Sequence, residues 1–79
     1  MNNKEINKII GLNLQNERKK VNMSQKEVAN LIGITRETFV SYEKGRKISA
    51  LLVAQLSEIY QCPIANFYLG IDVTECLKK

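Results

Sequence analysis

Seventy-nine residues, 44% of them apolar and 25% charged, leave room for one small soluble domain and none for a second core. A core of this size is expected to supply only about 3–5 kcal/mol unless a disulfide, a metal or self-association adds to it. The absence of histidine, together with two cysteines, Cys62 and Cys76, that have thirteen residues between them, fits no zinc-binding pattern, so no metal or other cofactor is expected.

In chain order the pattern is helical throughout. Ile6, Ile10, Leu14 and Val21 recur near helical spacing with Ile9 on the flank, which predicts a first helix from about Asn3 to Lys20, stopped near Asn22. Ser24 and Glu27 have the S-x-x-E spacing of a capping box, in which each side chain satisfies the other residue's free backbone N–H. A short second helix follows, burying Val28, Ala29 and Ile32, and Gly33 ends it. Thr35 is placed to cap a third helix, Arg36 to Lys44, with Phe39 and Tyr42 inward and Gly45 at its end. After Arg46-Lys47-Ile48, Ser49 is placed to cap a fourth helix with Val53, Leu56 and Tyr60 on one side. Pro63 suits the first turn of a fifth helix reaching Leu69. The fold class expected is therefore all-α with five helices, a domain over residues 1–69 and a tail over 70–79.

The charge is unevenly placed. Eight cations against four anions lie between Glu17 and Lys47, whereas Ile48 to Leu77 holds three acids and no Lys or Arg. Such a basic run is either a solvated surface or a site for a polyanion. The opening MNNKEINK lacks the apolar run of an export signal, so a cytoplasmic protein with reduced thiols is expected. No segment approaches the roughly 20 apolar residues that span a bilayer, so no membrane association is expected. Self-association remains as the supplement to a thin core.

The unit Ser24 to Arg46, two capped helices joined by a glycine turn, has the layout of a helix-turn-helix. In that motif the second helix can lie in the major groove with its N-terminal residues at the base edges. The run SQKEVANLIGITRETFVSYEKGRK resembles the phage repressor and Cro type of helix-turn-helix, also called the xenobiotic-response-element family. The resemblance covers Ile10 to Tyr68. It rests on Arg18, the Ser24-Gln25 pair, Ala29, Gly33, Ile34, the Tyr42-Glu43 pair and Gly45, in that order and at fixed spacing.

The resemblance implies a five-helix, lambda-repressor-like domain that binds double-stranded DNA. Position by position, Gln25 is similar to a family residue that reaches a phosphate. Arg36, Glu37 and Ser41 stand where the family reads bases, with Thr35, Thr38 and Val40 in support. Arg36 would grip guanine and Glu37 would accept from cytosine or orient Arg36; Val40 offers apolar contact to a thymine methyl. Lys44, Arg46 and Lys47 match the loop that clamps phosphates. Arg18 and Glu43 match a pair that ties the first helix to the third; as an exposed pair it would contribute about 0–1 kcal/mol. Lys19 and Lys20 read as solvated.

The chain departs from the pattern at Glu17, where a leucine is frequent, and at Ile48, where proline is. Leu31, Leu51 and Leu52 fall at positions normally polar. A dimer contact is expected from the cation-free half, with Leu51, Leu52, Ile64, Phe67, Leu69 and Ile71 as candidates. Cys62 reads as a core residue, and Tyr60, Phe67 and Tyr68 as core or dimer contacts.

No enzymatic activity is expected: there is no histidine base, no glycine-rich loop, and the Ser41-x-x-Lys44 echo of a serine-lysine pair lies inside the third helix. The expected function is a homodimeric transcriptional regulator, most simply a repressor on a palindromic operator. The alternative is an antitoxin-type module that binds a protein partner and autoregulates its operon.

Overall fold

The computed structural model describes residues 1–71. Four α-helices and a 3₁₀ segment follow in order: α1 Asn3–Lys20, α2 Gln25–Ile32, α3 Arg36–Glu43, α4 Ala50–Tyr60, and the 3₁₀ segment Ile64–Tyr68. The described residues contain no strand.

Each helix starts on a side-chain cap. Asn2, Ser24, Thr35 and Ser49 accept from the backbone N–H three residues on, and at Ser24 the capping box closes in both directions, at 3.0 and 2.9 Å. Each cap satisfies donors that a first turn would otherwise leave open. The stops come from left-handed backbone. Asn22, just past α1, has φ 57°, and Gly33, after α2, has φ 76°. Asparagine tolerates this region better than most residues with a Cβ, and glycine enters it freely.

Eight residues form the core: Leu14, Val28, Ala29, Phe39, Val53, Leu56, Tyr60 and Phe67. Every helix and the 3₁₀ segment contributes, so no element can leave without opening the interior. Tyr60 and Phe67 meet edge to face, with centroids 6.2 Å apart and an interplanar angle of 79°, the geometry that aromatic quadrupoles favour. Burial holds the Tyr60 phenol protonated, well above its ordinary range.

Four expectations are corrected. The fifth helix is a 3₁₀ turn, with Pro63 at its N-cap position. Asn13 fixes this segment from α1 by donating its side-chain amide to the Phe67 and Leu69 carbonyls, at 2.9 and 2.8 Å. Phe67 is fully buried inside one chain, so it packs the core and cannot reach a second copy. Val21 caps the end of α1 and is exposed, while Ile6, Ile9 and Ile10 are half-buried, leaving Leu14 as the fully buried residue of that series. Tyr42 is half-buried and stands outside the core cluster, its ring against Arg46 of the loop after α3.

Glu17, the position that reads as less apolar than usual, is buried. Its carboxylate accepts from Lys20 at 2.7 Å and from Asn66 at 3.5 Å, and the Lys20 hydrogen bond is the main reason its pKa falls below the ordinary value. A polar residue thus closes the seam between α1 and the 3₁₀ segment where a leucine would have packed.

Candidate nucleic-acid interface

α1 and α3 approach closely at Gly11. A Cβ there would lie 2.6 Å from the Glu43 carbonyl oxygen and 2.7 Å from that of Tyr42. Only a residue without a side chain lets the α1 backbone ride over the C-terminal end of α3. The contact places Arg18, two turns further along α1, against the Glu43 side chain.

The Arg18–Glu43 pair is buried rather than exposed, with side-chain accessibilities of 9% and 3%. The guanidinium donates from Nε at 2.7 Å and from Nη2 at 3.3 Å to the two carboxylate oxygens, and Nη1 donates to the Met23 carbonyl at 2.8 Å. One arginine therefore joins α1, the α1–α2 turn and α3. The fork geometry suits arginine, whose planar donors match a carboxylate at two points.

The network continues outward. Gln25, the first residue of α2, donates from Nε2 to Glu43 Oε1 at 2.9 Å, which leaves its Oε1 facing away. That oxygen accepts from Arg36 Nη2 at 3.3 Å. Arg36, the first residue of α3, is thus tethered through Gln25 and Glu43 to Arg18. Glu37 forms no ion pair with it; the group that orients Arg36 is Gln25. The Gln25 side chain is occupied inside the protein, and its backbone N–H lies in the donor-rich first turn of α2.

Along α3, Arg36 and Glu37 are exposed, while Thr38, Val40 and Ser41 are half-buried. The Thr35 hydroxyl donates to Thr38 Oγ1 at 2.8 Å while accepting from the Thr38 N–H, and the Ser41 hydroxyl donates to the Thr38 carbonyl. These three hydroxyls are engaged locally, which stiffens the helix. The charged pair at its start projects without such restraint, apart from the Gln25 tether.

α3 ends at Lys44, where the Gly45 N–H reaches the Tyr42 carbonyl at 3.2 Å and the Arg46 N–H reaches that of Ser41 at 3.0 Å. Gly45 has φ 112°, open only to glycine in practice. The following turn displays Lys44, Arg46 and Lys47, all exposed. The Arg46 guanidinium sits 5.3 Å from the Tyr42 ring centroid, a cation–π contact that restricts its long side chain. Ile48 anchors the far side of the turn by packing on the core, so the loop is held despite lacking a proline there.

Of the apolar residues expected at a dimer contact, Leu51, Ile64 and Leu69 are exposed, Leu52 and Ile71 are half-buried, and Phe67 is internal. Leu31 is 63% exposed and, with Ile32, Gln55, Glu58 and Ile59, lines a shallow groove between α2 and α4. Cys62 is half-buried against the core, and burial raises its thiol pKa. The tail beyond Ile71, with Cys76, lies outside the described residues. Among the described residues no helix is long and apolar enough to cross a membrane.

Gly11 and Asn13 are structural residues that the apolar pattern passes over. A glycine inside a strong helical stretch is the one signal that could have pointed to a close approach, since it costs the helix up to about 1 kcal/mol relative to alanine. Asn13 carries no comparable sign.

Comparison with known proteins agrees with this geometry. The family model described as helix-turn-helix matches residues 14–67, which takes in the C-terminal end of α1, both motif helices, the basic turn, α4 and most of the 3₁₀ segment. An "Uncharacterized HTH-type transcriptional regulator" of Methanothermobacter thermautotrophicus is 37% identical over 41 residues, which amount to 52% of this chain and 59% of that relative. No solved structure matches. With two capped helices about a glycine turn and a family match over more than half its length, the chain belongs to the Cro/C1-type helix-turn-helix family of DNA-binding domains.

Proposed function

We propose that this chain is a sequence-specific regulator of transcription, most simply a repressor, that binds a palindromic operator in duplex DNA as a homodimer. Residues 1–69 form the DNA-binding unit, and the tail from Gly70 contributes to the subunit contact together with Leu51, Leu52, Ile64, Leu69 and Ile71. The observation that carries the proposal is the tether on Arg36. An exposed arginine at the start of a capped helix is held by a chain of hydrogen bonds that ends in a buried ion pair. Holding a long cationic side chain before binding reduces the ordering cost of a bidentate contact to guanine O6 and N7.

Glu37, beside it, supplies an acceptor for cytosine N4, and Val40 supplies apolar surface for a thymine methyl. Thr35, Thr38 and Ser41 support this edge. Lys44, Arg46 and Lys47 meet phosphates on one side of the helix, and the Gln25 backbone N–H meets one on the other. Two-fold symmetry sets the half-sites about 34–36 Å apart, one turn of DNA.

Selection of bound sequences from a random duplex pool, with sedimentation to count subunits, tests the proposal. A two-fold-symmetric consensus and a dimer are expected. Arg36→Ala should relax the consensus at one position per half-site, a loss of about 1–3 kcal/mol there, while Arg46→Ala should weaken all sequences alike. No enrichment of any sequence, or an unchanged consensus with Arg36→Ala, would refute it.

A further inference from the structure

The basic turn after α3 does not stand alone. α1 crosses beneath it, and the stripe Lys4, Lys8, Gly11 follows the i, i+4, i+7 spacing of one helix face. Gly11 faces the Tyr42 and Glu43 carbonyls. Lys8, one turn earlier, lies under Gly45: a Cβ on that glycine would be 2.9 Å from Lys8 Cγ and 3.4 Å from Lys8 Cα. Lys47, at the end of the turn, lines one open hollow with Asn3, Ile6 and Asn7 of the first turns of α1.

Lys4, Lys8, Lys44, Arg46 and Lys47 are all exposed, and among the described residues none of them is in an ion pair. Glu5, three residues before Lys8, is the acid of the first turn, and it does not pair with Lys8 either. Five cations from two elements therefore share the side of the molecule where α1 approaches the end of α3 and the turn after it. Mutual repulsion disfavours such a gathering unless a polyanion is bound across it.

We propose that Lys8 and Lys4 of α1 extend the phosphate-binding surface of the 44–47 turn, so that a DNA strand passing the C-terminal end of α3 is held by both elements. The inference rests on the DNA-binding proposal above. It adds a role for the first helix: Lys8, whose stem is fixed against Gly45, supplies one phosphate contact, and Lys4, one turn further out on the same face, supplies a second. Both contacts are independent of base sequence.

The test measures binding of the full 79-residue chain to a mixed-sequence duplex across a salt series. Each lost phosphate contact lowers the slope of log K against log salt by about 0.9, so that raising salt from about 50 to about 200 mM costs the variant roughly threefold less affinity than it costs the wild type. Lys8→Gln keeps the Cβ and Cγ that pack on Gly45, and is expected to lower the slope by about 0.9. Lys4→Gln with Lys8→Gln should lower it by about 1.8, and Lys8→Arg should restore it.

Lys20→Gln removes the same charge at the opposite end of α1, about 18 Å along the helix, and should leave the slope unchanged. Equal effects of Lys8→Gln and Lys20→Gln would mean only net charge matters and would overturn the inference. So would an unchanged slope in Lys8→Gln while Arg46→Gln lowers it, an outcome that leaves the DNA-binding proposal intact. A wild-type chain that bound no duplex would overturn both.

Discussion

Replacing Arg18 with methionine removes every donor that the guanidinium directs at Glu43 and leaves a carboxylate with 3% side-chain accessibility held by Gln25 alone. An exposed pair would give up about 0–1 kcal/mol, but stranding a buried charge costs about 3–5 kcal/mol. The Met23 carbonyl loses its donor as well. Because a core of this size is expected to supply only about 3–5 kcal/mol, Arg18→Met should leave a large unfolded population at 25 °C.

Removing both charges is a different perturbation. In Arg18→Met with Glu43→Leu no unpaired charge remains, and packed apolar groups replace an ion pair whose desolvation was already costly. The double variant should therefore be more stable than Arg18→Met alone, with a coupling energy of at least about 2 kcal/mol. Urea unfolding followed by helical circular dichroism, in sucrose to bring all four proteins into range, measures the cycle. A cost below about 1 kcal/mol for Arg18→Met, with additive behaviour in the double variant, would show that the pair acts as a solvated one and refute the reasoning.

Two further outcomes are expected from the fold. Gly11→Ala should lower stability by about 1–2 kcal/mol even though alanine is the better helix former. The new Cβ must move roughly 0.7 Å from two carbonyl oxygens, a gap that forfeits much of the dispersion between α1 and α3. A raised melting temperature would show that the close approach yields freely. Glu17 and Glu27 both have pKa values lowered from the ordinary 4.5, by the Lys20 hydrogen bond and by the Ser24 backbone N–H respectively. With the folded values below the unfolded ones, their stabilising effect is present above about pH 4.5 and lost as pH falls through the lowered values. Glu17→Gln and Glu27→Gln should each flatten the acid limb of a melting-temperature profile, and an unaltered limb would count against these assignments.

The capped starts at Ser24, Thr35 and Ser49, the glycine stop at Gly33 and the span of α1 were legible in the sequence, because each depends on residues a few positions apart. Helix propensity, capping and left-handed backbone are local, and the helix-turn-helix layout follows from them. The segment after Pro63 was not legible in this way: five residues are too few for periodicity to separate a 3₁₀ turn from an α-helix, and the partner of its Phe67 and Leu69 carbonyls, Asn13, lies some fifty residues away.

Burial of charge was beyond local reasoning. Arg18 and Glu43 are 25 residues apart, and whether such a pair is solvated depends on how closely two backbones meet, which Gly11 allows and tertiary packing completes. The same holds for Phe67, whose apolar character suited a subunit contact or a core until the fold enclosed it. Where the helices begin and end, and which residues carry charge, follow from neighbours along the chain. Packing between distant segments withdrew Arg18 and Glu43 from water, set Gln25 rather than Glu37 against Arg36, and laid Lys8 of the first helix beneath the basic turn. Those outcomes depend on distances between residues remote in sequence, which chain order does not encode locally.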